Sequence, residues 1–232
     1  MMIGVYDYTV ILTYLSLISG VLGFIITVTG VGHPDIGIFF LMLSGIMDAF
    51  DGRVARTKKD RTEMAINFGI QIDSLADLIC FGILPVSIGL AQLRISGIFT
   101  EIVRRRDYDG KFSILVIFLV IALFYVLAAL IRLAYFNATS DMRNEEAAQT
   151  GVSYFIGLPV TSAALIFPLV MLIHYTTKWD LTGIYFLVML VVAMAFLLNV
   201  KIKKPGKVGL AIVISIGLLE FIAFVVAFSI WV

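Results

Sequence analysis

The stretches MDAFDGRVAR, residues 47–56, and NFGIQIDSLADLICFG, residues 67–82, bring four carboxylates into an otherwise strongly apolar sequence. Asp48 and Asp51 stand three residues apart, Asp73 and Asp77 four apart. If both stretches are helical, each pair shares one helix face. An ionised Asp at the centre of a membrane helix costs about 2.5–3.5 kcal/mol on insertion scales. Four such acids facing lipid would be hard to insert, so they are expected to line a protein cavity. A bound cation is the natural partner for them. The alternative is a structural clasp in which the acids pair with Arg53 and Arg56 across two helices.

The rest of the chain fits that setting. Of its 232 residues, 61% are apolar and 14% charged, with a mean hydropathy of +1.05. A soluble chain carries roughly 25% charged residues. The expected fold is therefore an all-α integral membrane protein, a bundle of about seven transmembrane helices around a polar cavity. No hydrophilic block is long enough to fold alone, so residues 1–232 read as a single transmembrane domain. The start lacks a basic region of the kind a cleavable signal peptide has, and none is expected. The formal net charge of +1 identifies no partner, and no nucleic acid is expected. The one cysteine, Cys80, reads as a packed small hydrophobe.

Seven apolar runs of spanning length are expected at about residues 9–31, 36–56, 67–93, 112–136, 154–175, 181–200 and 208–232. The two acidic pairs flank the polar connection 57–66, which puts them at one membrane depth. The runs 94–111, 138–153 and 201–207 read as further polar connections, and Gly157-Leu158-Pro159 as a local distortion near the start of the fifth span. Placing 57–66 in the cytoplasm leaves 11 Lys and Arg residues inside and 6 outside, which favours a cytoplasm-facing cavity. The cluster Arg104, Arg105 and Arg106 runs against that assignment. His33 and His174 fall at the opposite end from the acids and read as interface residues.

Chemically, clustered carboxylates near a membrane face suggest divalent metal held over a diphosphate. Gly52 leaves room for close approach of a ligand to the backbone, and Ala55 keeps the next turn of the same face small. Arg56 adds a permanent cation with a planar fork suited to phosphate, or else snorkels to the interface. The run Asp48-x-x-Asp51-Gly52-x-x-Ala55-Arg56, then Gly69-x-x-x-Asp73-x-x-x-Asp77, resembles the signature of the CDP-alcohol phosphotransferases. These membrane enzymes move a phosphatidyl or similar group from a CDP-linked lipid to an alcohol and release CMP. One departure is the connection from Arg56 to Gly69, twelve residues here where the family usually has eight. Extra length in a polar loop costs little.

Further segments narrow the branch. Asp73-Ser74-Leu75-Ala76-Asp77 followed by Phe81-Gly82 and Pro85, Arg132-Leu133-Ala134-Tyr135-Phe136-Asn137, and Phe155-Ile156-Gly157-Leu158-Pro159 resemble the serine-using branch, the CDP-diacylglycerol–serine O-phosphatidyltransferases. The motif-bearing part is about residues 36–168. The resemblance implies Mg²⁺ or Mn²⁺ held by Asp48, Asp51, Asp73 and Asp77, with Asp77 also taking the proton from the acceptor hydroxyl. It implies contact of Gly52, Ala55, Arg56 and Gly69 with the CDP-lipid, CDP-diacylglycerol and L-serine as substrates, and a homodimer among the lipids of the plasma membrane. Arg132 either meets the serine carboxylate or anchors its helix at the interface. Asn137 either hydrogen-bonds serine or caps its helix. Two other readings stand beside this one: a sister enzyme using another alcohol, such as glycerol phosphate or inositol phosphate, and a cation transporter. Transport calls for acids spread along a pathway, which clustering at one depth does not favour.

Overall fold

The computed structural model describes residues 3–30, 33–97, 111–152, 154–177, 179–203 and 206–231. Arg104–Arg106, Lys178 and Lys204 lie outside the described residues, so the charge balance of the two faces rests on sequence.

Helix α1 (Ile11–Thr29) buries Thr13, Ser16, Ser19, Gly20, Gly23 and Thr27, while Ile11, Leu15, Ile18, Leu22 and Ile25 are exposed. In water this arrangement would be inside out. In lipid, where apolar side chains gain nothing by leaving the solvent, small residues at the seam let backbones approach. The partner is α2 (Pro34–Ala55), which runs antiparallel. Ser16 donates to the Ser44 carbonyl at 3.3 Å, Ser44 to the Ser16 carbonyl at 3.0 Å, and Ser19 to the Phe40 carbonyl at 3.0 Å. Gly20 is required by proximity: a Cβ there would sit 2.5 Å from the Cys80 sulfur. Cys80 itself is fully buried, with its thiol against the Ser16 carbonyl at 3.3 Å.

The next helix, α3 (Glu63–Asp77), begins four residues earlier than the sequence suggests. Thr62 supplies the reason, its hydroxyl accepting from the Ala65 amide at 3.2 Å as an N-cap. After Asp77 the chain widens into a π-helical turn, Leu78–Ile83, before continuing as α4 (Leu84–Ile95). Pro85 explains the widening. It has no N–H to give to the Phe81 carbonyl four residues back, and its ring crowds that carbonyl. Tyr125 replaces the missing donor, its hydroxyl reaching the Phe81 carbonyl at 2.8 Å.

The chain then forms α5 (Lys111–Ala138), α6 (Ser140–Thr150), strand β1 (Tyr154–Ile156), a 3₁₀ turn (Val160–Ser162), α7 (Ala163–Thr177), α8 (Thr182–Leu197), strand β2 (Lys201–Lys203) and α9 (Lys207–Trp231). Helix α5 lies along α8, and α9 packs on α2 and α7. The centre is aromatic: Phe81, Tyr125, Phe167, Tyr185 and Phe186 are fully buried. Both tyrosine hydroxyls are satisfied, Tyr185 by the Pro85 carbonyl at 2.9 Å. At the end away from the four acids, buried Asp35 accepts from Tyr175 and from Gln92 and is ion-paired with His33. His174 meets the Trp179 carbonyl instead.

The protein is thus an all-α integral membrane protein whose described residues include one small two-stranded ribbon. Among the described residues five helical stretches are long and apolar enough to cross a bilayer: Ile11–Thr29, Glu63–Ile95, Ser113–Ala138, Val160–Thr177 and Ala211–Ser229. Of the other two expected spans, α2 is interrupted by its own charges, and the apolar α8 has 16 residues, about 24 Å at 1.5 Å each. Two expectations change. The fifth span does not start at Tyr154, because Tyr154, Phe155 and Ile156 pair antiparallel with Lys203, Ile202 and Lys201. Gly157 then turns the chain at φ +70°, and its N–H reaches the Val200 carbonyl at 3.0 Å. Gly157-Leu158-Pro159 is therefore a turn leaving a strand, not a distortion within a helix. The polar run 138–153 is also not all loop, since α6 occupies most of it and ends on left-handed Gly151.

Candidate functional site

Asp48 and Asp51 lie in the last two turns of α2, Asp73 and Asp77 in the last two turns of α3. One carboxylate oxygen from each of Asp48, Asp73 and Asp77 falls within 4.8 Å of the others. Asp51 stands beside this triad, with its carboxyl at hydrogen-bonding distance from that of Asp73, as Asp48 is from Asp77. Thr13 of α1, which the sequence did not single out, donates to Asp51 Oδ2 at 3.1 Å.

The physics of this cluster calls for a positive tenant. Ionised carboxylates at 4–5 Å repel by roughly 3–4 kcal/mol per pair even at an effective dielectric of about 20. Carboxyls in mutual contact need either a proton or a cation between them. Among the described residues none of the four acids is ion-paired with Arg53 or Arg56, so the clasp reading finds no support in the ion pairs. Arg53 instead lies over the Phe50 ring. An all-oxygen set of carboxylates is the donor chemistry of a hard divalent ion, and the residues fit one.

Above the acids opens a cleft of about 180 Å³. Its walls include Asp51, Gly52, Ala55 and Arg56 from α2 and the turn after it, and Gly69 and Asp73 from α3. All four residues expected to touch the CDP-lipid therefore face one space, bounded below by two of the acids. A Cβ on Gly52 would meet nothing closer than the Arg56 guanidinium at 3.6 Å, so helix packing does not demand glycine there. The room it leaves belongs to the cleft. The volume falls below the ~300–1,000 Å³ usual for small-molecule sites, so a lipid ligand must extend beyond it. A wider concavity of about 540 Å³ lines the outer side of α3 but carries none of the four aspartates.

Arg132 approaches the acids from α5 and lies within electrostatic reach of Asp77 and Asp48. It is 8% exposed, its Nε has no hydrogen-bond partner among the described residues, and its guanidinium sits 4.8 Å from the Phe136 ring centroid. Arg143 of α6 stacks on the same ring at 3.8 Å and donates to Thr139. Asn137 is not a helix cap. Its amide donates at 2.8 Å to Ser74, the residue after Asp73, and so ties α5 to the second acidic pair. At the rim, Lys58 binds Asp7 at 3.0 Å and fastens the 57–62 connection to the entrance of α1. The Thr9 hydroxyl and then Lys58 hold the Asp7 carboxyl down at about 2.

Comparison with known proteins agrees with this geometry. A family model described as CDP-alcohol phosphatidyltransferase matches residues 9–231, and the chain belongs to that family. It is 31% identical over 162 residues to a CDP-diacylglycerol–serine O-phosphatidyltransferase of Saccharomyces cerevisiae, covering 66% of this chain and 50% of the relative. A protein of the same name from Helicobacter pylori is 32% identical over 136 residues, covering 58% of this chain and 45% of its own. One from Mycobacterium bovis is 26% identical over 181 residues, covering 76% and 54%. The chain thus spans about half the length of the curated relatives it matches.

Proposed function

We propose that this chain transfers the phosphatidyl group of CDP-diacylglycerol to the hydroxyl of L-serine, giving phosphatidylserine and CMP. The observation that carries the reading is the convergence of Asp48, Asp51, Asp73 and Asp77 beneath a cleft walled by Gly52, Ala55, Arg56 and Gly69. That arrangement suits a diphosphate held at the membrane surface while acyl chains remain in lipid. The serine acceptor is supported by the names of the relatives and by the Arg132–Asn137 segment beside the second acidic pair.

In this reading the four aspartates hold one or two Mg²⁺ or Mn²⁺ ions, which offset the charge of the diphosphate and of the developing leaving group. Arg56 binds phosphate oxygens, and Gly52, Ala55 and Gly69 leave space for the nucleotide. Asp77 accepts the serine hydroxyl proton. The serine oxygen bonds to the lipid-side phosphorus, the bond from that phosphorus to the bridging oxygen breaks, and CMP leaves with that oxygen. Arg132 faces the serine carboxylate, and Asn137 positions the second acidic pair through Ser74. We assign the cleft to the cytoplasmic face of the plasma membrane, where CDP and serine are at hand, and the working unit to a homodimer.

The test is CMP release by purified protein given CDP-diacylglycerol and Mg²⁺ or Mn²⁺, with single alcohols added in turn. Release that depends on L-serine supports the reading. Release only with glycerol phosphate or inositol phosphate would keep the chemistry and replace the acceptor. No release with any alcohol, in folded protein, would overturn it and favour ion transport.

A further inference from the structure

The connection between α2 and α3 carries an arginine that the reading above leaves unused. Arg61 lies one residue before the N-cap of α3 and lines the cleft opposite Gly52 and Arg56. Its Nη2 donates to the Ala65 carbonyl at 3.1 Å, which fixes the direction of the guanidinium. The same nitrogen lies 2.9 Å from where a Cβ on Gly69 would stand, so the side chain is laid against the bare backbone of the motif glycine. Its Nε is buried and has no hydrogen-bond partner among the described residues.

A buried guanidinium nitrogen without an acceptor is costly unless something fills the role. Among the described residues neither Asp51 nor Asp73, the two acids that line the cleft with it, is ion-paired with Arg61. The cleft thereby has a paired plan. Arg56 lies by Gly52 on the α2 side, Arg61 by Gly69 on the α3 side, and the acids lie between and below. Two guanidiniums facing across a narrow space suit a ligand with two linked phosphates, each able to take a charge-assisted hydrogen bond.

We propose that Arg61 is a second phosphate-binding residue for the diphosphate of the CDP-linked lipid, acting across the cleft from Arg56. The proposal rests on the function proposed above, and it gives the connection a role in selecting the lipid donor. A brace that only held the Ala65 carbonyl would be kept by glutamine, whose amide donates but carries no charge. A phosphate ligand would not.

The experiment measures binding of CDP-diacylglycerol, phosphatidic acid and cytidine in detergent micelles with Mg²⁺, for the full chain and for Arg61→Ala, Arg61→Gln and Arg61→Lys. Steady-state turnover is followed in parallel. The expected result is a loss of CDP-diacylglycerol affinity of roughly 10- to 100-fold in both Ala and Gln variants, the range of one charge-assisted hydrogen bond. Lys should recover part of it, cytidine binding should be unchanged, and the loss should fall on KM for the lipid donor rather than on KM for serine. Wild-type affinity in Arg61→Gln, with a loss in Arg61→Ala only, would reduce Arg61 to a brace and overturn the proposal. So would equal losses for phosphatidic acid and CDP-diacylglycerol, which would mark a general lipid-phosphate contact. If the unaltered chain binds no CDP-diacylglycerol, the functional reading itself falls and takes this inference with it.

Discussion

Tyr125→Phe isolates one hydrogen bond on which the shape of the site depends. The ring is fully buried and stays so in phenylalanine, so no cavity forms and only the donor to the Phe81 carbonyl is lost. That carbonyl has no backbone donor at residue 85, and Phe81 is itself 0% exposed. Leaving such a group unsatisfied costs about 1–3 kcal/mol. Interhelical hydrogen bonds in membrane proteins average about 0.6 and reach about 1.7 kcal/mol, which narrows the expectation to about 1–2 kcal/mol. The assay is unfolding in mixed micelles by a denaturing detergent, run for wild type, Tyr125→Phe, Pro85→Ala and the double variant. Pro85→Ala restores an N–H that can serve the Phe81 carbonyl, so in that background Tyr125→Phe should cost less than about 0.5 kcal/mol. An equal loss in both backgrounds would refute the reasoning that the proline orphans the carbonyl and the tyrosine replaces its donor. Because Asp77 directly precedes the wide turn, the single variant should also lower turnover.

Three other outcomes are expected. Gly157→Ala should destabilise the fold by about 1–3 kcal/mol in the same unfolding assay, since its φ is +70° and the new Cβ would lie 2.8 Å from the Phe196 carbonyl oxygen. The Thr9 hydroxyl and then Lys58 lower the Asp7 carboxyl's value in the folded state, so their contribution is present above about pH 4 and is lost as pH falls through about 2. Hydrogen exchange in residues 57–62 should rise as pH falls across that window, and the dependence should weaken in Lys58→Met and vanish in Asp7→Asn. Asp73→Asn should weaken Mn²⁺ binding by at least about tenfold, read by electron paramagnetic resonance of the free ion, because in the proposed reading it replaces a charged oxygen donor of the triad with a neutral one.

Much of the candidate site's geometry was legible in the sequence because the spacings that set it are local. The spacings of Asp48 with Asp51 and of Asp73 with Asp77 survive translation into two helix ends, and a short connection forces those ends to one depth. Gly52, Ala55, Arg56 and Gly69 fall on the same cleft for the same reason. What escaped is contact between distant segments. Thr13 comes from a helix that carries no motif, Tyr125 lies two turns before the Arg132–Asn137 segment of its helix, and each acts through one hydroxyl. The pairing of Tyr154–Ile156 with Lys201–Lys203 joins strands separated by two helices, and three residues of alternating pattern are too few to announce a strand. Arg61 was hidden among the basic residues of a polar loop, where charge is usually solvated. Helix α6 left more trace than was used, with Asp141 in its first turn and Gly151 just past its end.

The measurement that bears most directly on the account is the incorporation of labelled L-serine into lipid by purified protein supplied with CDP-diacylglycerol and Mn²⁺, comparing wild type with Asp77→Asn. The account predicts labelled phosphatidylserine from wild type, equimolar with CMP. It predicts a loss of at least about 100-fold in the variant, at the low end for removal of a general base, with CDP-lipid binding largely retained. Full activity in Asp77→Asn would remove Asp77 as the base, and no serine-labelled lipid from folded wild-type protein would contradict the central claim.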